Sequence, residues 1–405
     1  MNLPIPTRHP EQPRAVPAIV RSFALLLGIG KPTPEQWRRL GERLTVGDEP
    51  MDRLVEWMSA AGMEQMRPLF DRALTDGIAN VPDAPDPLRE FFIQIETMPD
   101  WVDPNKLRRG ARALRRGGAD GMYIARDVSL LGGYQFSGFN KTLVRTGALE
   151  KGSNKRFAET MQWAMDVISE GGLDPLGIGY RSTIRVRLIH AFVRRHVAAM
   201  PDWRGDEWGV PVNQTDMAAT LVGALIAPSA GAIGMGFLHS PAELDGIAHL
   251  TRYVGWLIGV QDEWLPHSFR DGVRTLYNTL AALSQPDEST KKLAVPMGDD
   301  PMAWHYRRNP GLRRRFARAQ HLSVTSGFLG PRAMRILGLP FVLPWYPLSR
   351  IPVNATRSVV ALSLPGGMQR AVARGQREQE TLLHIMIGDS KATVGDSAAH
   401  ASRVA

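Results

Sequence analysis

One segment of the sequence brings a histidine and two arginines together at helical spacing. In residues 180–197 (YRSTIRVRLIHAFVRRHV), His190 lies three residues after Arg187 and four before Arg194. Residues three and four apart share one face of an α-helix, so the three side chains are predicted to lie together. Because the arginines disfavour the protonated imidazole, the ring is expected to be neutral, with a lone pair free to accept a hydrogen bond or to bind a metal.

Two interpretations of this segment stay open on the residues alone. A neutral imidazole can bind haem iron while guanidinium groups pair with the haem propionates. Alternatively, His190 is a hydrogen-bonded core histidine and the arginines extend to solvent. Taken alone, the segment favours the second interpretation.

Composition removes several other kinds of site. The 405 residues include no cysteine, which excludes zinc–thiolate sites, iron–sulfur clusters and thiolate-bound haem. The sequence has no Glu-x-x-His pair of the kind that binds di-iron in helical bundles, and no phosphate-binding glycine loop. The net charge is +9, but no zinc-finger or RNA-binding aromatic motif accompanies it, so no nucleic-acid partner is expected.

A second segment, residues 155–167 (KRFAETMQWAMDV), changes the balance between the two interpretations. It places Arg156 and Thr160 four residues apart, hence on one face of a helix. Together the segments give the order Arg156-x3-Thr160-x29-His190-x3-Arg194. This pattern resembles the catalytic domain shared by bacterial rubber oxygenase (latex clearing protein) and the fungal MpaB-type oxygenases. Further similar segments are RVRLIHAFVRR, WGVPVNQTDMAATL and YVGWLIGVQDEWLP, and the resemblance covers roughly residues 110–350.

The resemblance implies an all-helical domain that encloses a single haem b. By analogy, His190 would be the axial iron ligand, Arg187 and Arg194 would neutralise the propionates, and Arg156 with Thr160 would be the paired site residues near the haem. The family reaction is the dioxygen-dependent cleavage of a carbon–carbon double bond in an isoprenoid chain. The expected partners are therefore dioxygen and a hydrophobic small-molecule or prenyl-chain substrate. The alternative is a non-catalytic helical protein that binds haem or lipid.

The sequence departs from the rubber oxygenase pattern next to the threonine. A lysine stands there in rubber oxygenase, whereas this chain has Glu159. A carboxylate at this place could act as a base on the allylic proton of a substrate, which makes Glu159 a third candidate catalytic residue beside Arg156 and Thr160. Alternatively, Glu159 faces solvent or pairs with Arg156. His239 and His249 lie near the apolar segment 217–238, and either could approach a haem, but a core or capping role is the favoured interpretation.

The rest of the chain reads as one all-α domain. We expect it to span residues 18–389, between a flexible arm at 1–17 and a flexible tail at 390–405. Asn213 or Thr215 is expected to cap a helix with Asp216 in its first turn. Apolar residues recur at three- and four-residue spacing in the following ranges: 51–63, 107–114, 157–168, 183–200, 242–260 and 273–283.

Two features bear on membranes. Residues 217–238 contain no charge and could span a bilayer by length, but Pro228 and four glycines favour two buried helical pieces in a protein interior. The arginine clusters at 108–116 and 313–315 are interpreted as solvated helix faces, although they could also meet anionic headgroups. We expect a cytoplasmic protein, with peripheral contact to a membrane surface left open.

Overall fold

The fold is helical, as the sequence predicts. A computed structural model describes residues 4–147, 152–390 and 392–394, and these residues form helices, turns and loops with no β-strand. The α-helices of the first half are α1 (Ala18–Leu26), α2 (Pro34–Glu42), α3 (Glu49–Ala61), α4 (Met63–Asp76), α5 (Asp86–Glu96), α6 (Pro104–Arg116), α7 (Gly118–Tyr123), α8 (Leu131–Gly133), α9 (Ser137–Arg145) and α10 (Ser153–Ile168). Those of the second half are α11 (Ile178–Ala198), α12 (Gly205–Trp208), α13 (Gln214–Gly234), α14 (Pro241–Leu257), α15 (Phe269–Ala282), α16 (Glu288–Asp299), α17 (Pro310–Leu337), α18 (Trp345–Ser363) and α19 (Gly367–Ile387). Short 3₁₀-helices lie at Arg43–Thr45, Ile78–Asn80, Asp262–Trp264 and Asp300–Ala303, and a π-helix at Ile124–Leu130.

The helices begin where the sequence supplies capping groups. Thr33 and Gln36 form a reciprocal capping box at the start of α2. The Asn213 side chain accepts the backbone N–H of Asp216 at 2.9 Å, which confirms the predicted cap of α13. The periodic segments predicted from residues 157–168 and 183–200 correspond to α10 and α11.

Helix α10 contributes to two separate apolar cores. Trp163 and Val167 belong to a core with residues of α3, α5, α11, α13 and α14, whereas Phe157 and Met161 belong to a core with residues of α16, α17 and α19. Successive turns of α10 therefore pack in different directions. Thr160 lies on this helix, between the two cores.

Helix α13 corrects the expectation of two helical pieces. It runs without interruption from Gln214 to Gly234 and passes through Pro228. It is long and apolar enough to cross a membrane, yet half of its most apolar window is buried inside the protein. The break predicted from sequence is absent because neighbouring elements, mainly α15 and the π-helix Ile124–Leu130 and then α14, pack along α13 and hold it helical.

Residues 4–17 are held against the domain, which corrects the expectation of a loose arm at 1–17. The Arg8 guanidinium is buried and pairs with Asp216 at 2.7 Å, while its backbone N–H donates to the Glu207 carbonyl at 3.0 Å. The Trp37 indole N–H donates to the Pro10 carbonyl at 3.1 Å. A buried ion pair fixes a segment that its composition alone describes as polar coil. Most of the predicted tail at 390–405 lies outside the described residues.

The first arginine cluster is only partly a solvated face. Arg108 and Arg112 are exposed on α6, as predicted, but Arg115 and Arg116 are buried. Arg116 pairs with Glu243 of α14 at 2.9 Å and also donates to the Leu238 carbonyl. The prediction fails for Arg116 because its partners stand more than a hundred positions further along the chain.

Candidate functional site: a cavity beside helices α10 and α11

The interior contains a large apolar cavity. Its volume is about 270 Å³, and most of its lining is aliphatic or aromatic. Its walls come from α6, the helical run 118–133, α10, α13 and α15, with further residues from α1, α9 and α17. Polar lining side chains are few and include Thr160, Asp216 and His239. A cavity of this composition suits a hydrophobic ligand that a small number of polar groups orient.

Small residues of α13 create part of the space. Ala219, Gly223 and Ala227 line the cavity at spacings of four residues, so they share one face of the helix. A Cβ added to Gly223 would meet no heavy atom within 4 Å. One face of the apolar, charge-free segment is thus a cavity wall, while other residues of the segment belong to the apolar cores.

The cavity wall also includes the π-helix Ile124–Leu130, of which Ala125, Val128 and Ser129 line the cavity. A π-helix widens the backbone spiral by one residue per turn and commonly occurs at functional sites.

Of the predicted catalytic residues, Thr160 reaches the cavity. Its side chain is exposed to this space, and its hydroxyl donates to the Arg156 carbonyl at 3.1 Å. Glu159 is buried and does not face solvent, but it is not among the lining residues. Arg156 contributes to the electrostatic environment of Tyr134, and its buried Nη1 has no hydrogen-bond partner among the described residues. This atom is one of several buried arginine nitrogens that have no hydrogen-bond partner among the described residues.

His190 is an enclosed, neutral histidine. Burial, reinforced by the charge of Arg194, lowers the pKa of His190 from 6.5 to about 4. Its Nδ1 atom is buried, and no described residue is within hydrogen-bonding reach of it. The residue nevertheless keeps some accessible surface, so a small space adjoins it inside the protein.

His190 is not itself a lining residue of the large cavity, but it lies on the helix next to its wall. The cavity-lining Trp163 of α10 donates its indole N–H to the Thr183 hydroxyl of α11 at 3.0 Å. Thr183 precedes His190 by seven residues, which is two helical turns, so both share one face of α11. The predicted pair Thr160 and His190 is thus carried by two helices in direct contact.

Arg187 and Arg194 both bind carboxylates at the start of α3: Asp48 directly precedes the helix, and Asp52 lies in its first turn. Arg187 binds Asp48 through two nitrogens at 2.6 and 2.8 Å and donates to the Leu257 carbonyl at 3.2 Å. Arg194 binds Asp52 at 2.8 Å and donates to the Val212 carbonyl at 2.6 Å. Neither arginine extends freely to solvent, which corrects that alternative for both.

His239 is a candidate that the sequence reasoning assigned to a structural role. It lines the cavity, its Nδ1 lies 3.2 Å from the Arg116 Nη2, and its Nε2 is buried with no partner in the described chain. Burial and then the charge of Arg116 lower the pKa of His239 to about 4. Its place at the end of the apolar segment 217–238 was the one signal in the sequence.

A buried polar cluster behind the π-helix was missed entirely. His321 Nδ1 lies 2.6 Å from Asp127 Oδ2, and the other Asp127 oxygen accepts from Arg126 at 2.6 Å. Tyr123 and Trp304 pack edge-on against the His321 ring. Because Asp127 and His321 are 194 positions apart, no local pattern connects them.

Fold and site together define a helical protein that surrounds an apolar ligand cavity and keeps a neutral histidine beside it. A family model described as the catalytic domain of ER-bound oxygenase mpaB/B'/rubber oxygenase matches residues 122–362. This match covers more than half of the chain, and the chain therefore belongs to that family of oxygenase domains. The resemblance expected from the sequence motifs is confirmed.

Two individual proteins are similar to this chain. Rubber oxygenase from Streptomyces sp. (strain K30) is 26% identical over 204 residues, which make up 48% of this chain and 47% of that protein. The chain thus matches about half the length of this curated relative. A solved structure of latex clearing protein in the closed state has a TM-score of 0.65 at 18% identity, covering 87% of this chain and 92% of that one. The second likeness establishes a shared fold.

Proposed function

We propose that this protein is a haem b-dependent oxygenase that cleaves a carbon–carbon double bond of an isoprenoid or lipid-like substrate with dioxygen. The observation that carries the proposal is the enclosed, neutral His190, whose Nδ1 lacks a partner among the described residues, on a helix packed against the cavity-lining α10. Membership of an oxygenase family supports the reaction class.

The donor set fits a haem better than a metal bound by side chains alone. The described residues contain no cluster of three or more His, Asp or Glu side chains that could hold a metal ion. Iron bound at His190 would therefore need other ligands, and a porphyrin supplies four of them. An uncharged imidazole is the form that ligates iron.

We assign the remaining polar groups as follows. Arg156 has a buried, unpaired Nη1 and is the available cation for a haem propionate or a polar substrate end. The propionate role predicted for Arg187 and Arg194 stays a prediction, because a propionate would have to share these guanidiniums with Asp48 and Asp52. Their contacts support a positioning role, in which they fix α11 against α3 and so hold His190 in place.

In the proposed mechanism the haem iron, when bound, supplies the reaction with dioxygen. The chain contributes orientation and the exclusion of water. The apolar wall formed by α10, α13 and the π-helix binds the hydrocarbon around the double bond. The Thr160 hydroxyl donates a hydrogen bond to the Arg156 carbonyl, so its oxygen can accept a hydrogen bond from a group in the cavity. The role of Glu159 as a base on an allylic proton stays a prediction; a Glu159→Gln variant would lose turnover without losing haem if it holds.

The test is an aerobic assay of purified, haem-loaded protein with a polyprenyl alcohol, in which aldehyde and ketone products are trapped as hydrazones. We expect carbonyl products with the wild type and a lower rate with Thr160→Val. Trp203→Phe, a substitution outside the cavity lining, serves as the control and should turn over normally. Stoichiometric binding of haem or lipid without any carbonyl product would overturn the proposal in favour of a non-catalytic binding protein.

A further inference from the structure

Helix α18 buries small and polar residues and exposes large apolar ones, the reverse of an ordinary surface helix. The residues that it buries are Pro347, Asn354, Ser358 and Ala361, which are small or polar. The Asn354 amide donates to Asp120 at 2.9 Å and to the Met235 carbonyl at 3.0 Å. A helix at a water-exposed surface normally buries its large apolar residues instead.

The outward side of α18 carries the large apolar residues. Leu348 is 60% exposed and Val359 is 51% exposed, and several more aliphatic side chains project from the same helix: Ile351, Val353, Val360 and Leu362. Each of these residues keeps between 38% and 60% of its surface exposed. More than half of the large hydrophobic residues exposed in the described structure lie at or after residue 312.

The first turns of α17 extend this apolar surface. The Phe316 ring lies 5.4 Å from the ring of Trp345 at the start of α18, and Leu312 is exposed one turn before Phe316. We call the exposed apolar side of α18, together with Leu312, Phe316 and Trp345, the α17–α18 face. Contiguous exposed apolar area of this kind marks an interaction site.

Along the sequence, the segment that carries the α17–α18 face has basic but no acidic residues, and three of its arginines, Arg318, Arg350 and Arg357, pair with acidic side chains of neighbouring elements. Residues 301–377 contain thirteen arginines and no aspartate or glutamate. The other residues of the chain carry 36 basic and 40 acidic side chains, so the whole positive balance of +9 resides in this segment. Arg313 and Arg315 lie between Leu312 and Phe316 in the sequence. Both arginines are exposed, and neither forms an ion pair among the described residues.

We propose that the α17–α18 face docks on a lipid bilayer that carries anionic headgroups. Exposed aliphatic side chains, an exposed tryptophan and unpaired arginines are the combination that lies in a membrane interface, with the apolar groups among the acyl chains and the arginines at the phosphates. The exposed Arg313 and Arg315, which form no ion pair among the described residues, lie beside the apolar side chains and complement the phosphates of an anionic bilayer.

The experiment is flotation of the full chain with vesicles of phosphatidylglycerol and phosphatidylcholine, against vesicles of phosphatidylcholine alone. We expect binding to the anionic vesicles that weakens with added salt. Arg313→Gln/Arg315→Gln should weaken this binding roughly thirtyfold, at roughly fivefold per arginine. Leu348→Gln/Val359→Gln should also weaken it, because both side chains are exposed and their replacement spares the fold.

Matched controls separate this face from general surface charge. Arg108→Gln/Arg112→Gln removes the same charge from the exposed side of α6, and Ile93→Gln removes an exposed aliphatic side chain from α5; both should bind vesicles like the wild type. No binding of the wild type to anionic vesicles, or an equal loss in the controls, would overturn the proposal. So would a wild-type dimer in sedimentation velocity that Leu348→Gln/Val359→Gln converts to monomer, because the face would then belong to a protein interface.

Discussion

The pairing of Arg187 with Asp48 gives a quantitative test of how α11 is held. Asp48 is 2% exposed, and its two carboxylate oxygens accept hydrogen bonds from Arg187 at 2.6 and 2.8 Å. Arg187→Met keeps much of the side-chain volume but leaves this carboxylate buried without its cation. Breaking a buried pair by removing one partner typically costs about 3–5 kcal/mol.

The neighbouring pair provides a graded comparison. Asp52, the partner of Arg194, is 34% exposed, so water can solvate it when the arginine is removed. Arg194→Met should therefore cost less, about 1–3 kcal/mol. A double variant, Arg187→Met/Asp48→Leu, removes both buried charges and should recover part of the loss from Arg187→Met.

The assay is urea unfolding of haem-free protein followed by circular dichroism. The positioning role predicts that Arg187→Met lowers the unfolding free energy in the absence of haem, by more than Arg194→Met does. If Arg187→Met were as stable as the wild type without haem and still failed to bind haem, the reasoning would be refuted. The arginine would then act on the cofactor directly, as its predicted propionate role requires.

Two more predictions follow from the cavity and its histidines. Gly223→Ala should raise the unfolding free energy by about 0.5–1 kcal/mol, since alanine favours a helix and its Cβ meets open space, whereas Gly231→Ala should lower it because its Cβ would lie 2.6 Å from Ile124. Gly223→Phe should fold yet bind apolar ligands more weakly, and unchanged ligand affinity would place the ligand elsewhere. Because the pKa values of His190 and His239 are lowered to about 4, the unfolded chain takes up protons on these rings below pH 6.5 before the folded chain does. The unfolding free energy should therefore fall as the pH drops from 6.5 towards 4, and it should fall less in His190→Gln. Unfolding curves at pH 5 and pH 7 would check this.

The local parts of the fold could be predicted from the sequence. The apolar periodicity of residues 157–168 and 183–200 gave α10 and α11, and Asn213 marked the start of α13, because helix spacing and capping depend on residues a few positions apart. That His190 and Thr160 belong to one site is what the family resemblance implies and stays a prediction, and the structure places the two residues on adjoining helices.

The remaining features depend on partners that are distant in sequence. The sequence predicted Arg116 as a surface residue, but in the structure it pairs with the buried carboxylate of Glu243. It predicted Arg8 as part of a loose arm, but Arg8 pairs with the buried Asp216. Pro228 predicted a break in α13 that the surrounding helices prevent. His239 gained its cavity position from the packing of α13 and α14, which no local pattern encodes.

The most direct test of the central claim is the visible spectrum of haem-reconstituted protein in three histidine variants beside the wild type. His196→Ala controls for the loss of a histidine from the same helix, and His239→Ala tests the rival ring at the cavity wall. The account predicts that the wild type and both of these variants keep the haem Soret band, while His190→Ala loses it and regains it with added imidazole. Retention of full haem content and an unchanged spectrum by His190→Ala, or loss of the band in His239→Ala alone, would contradict the assignment.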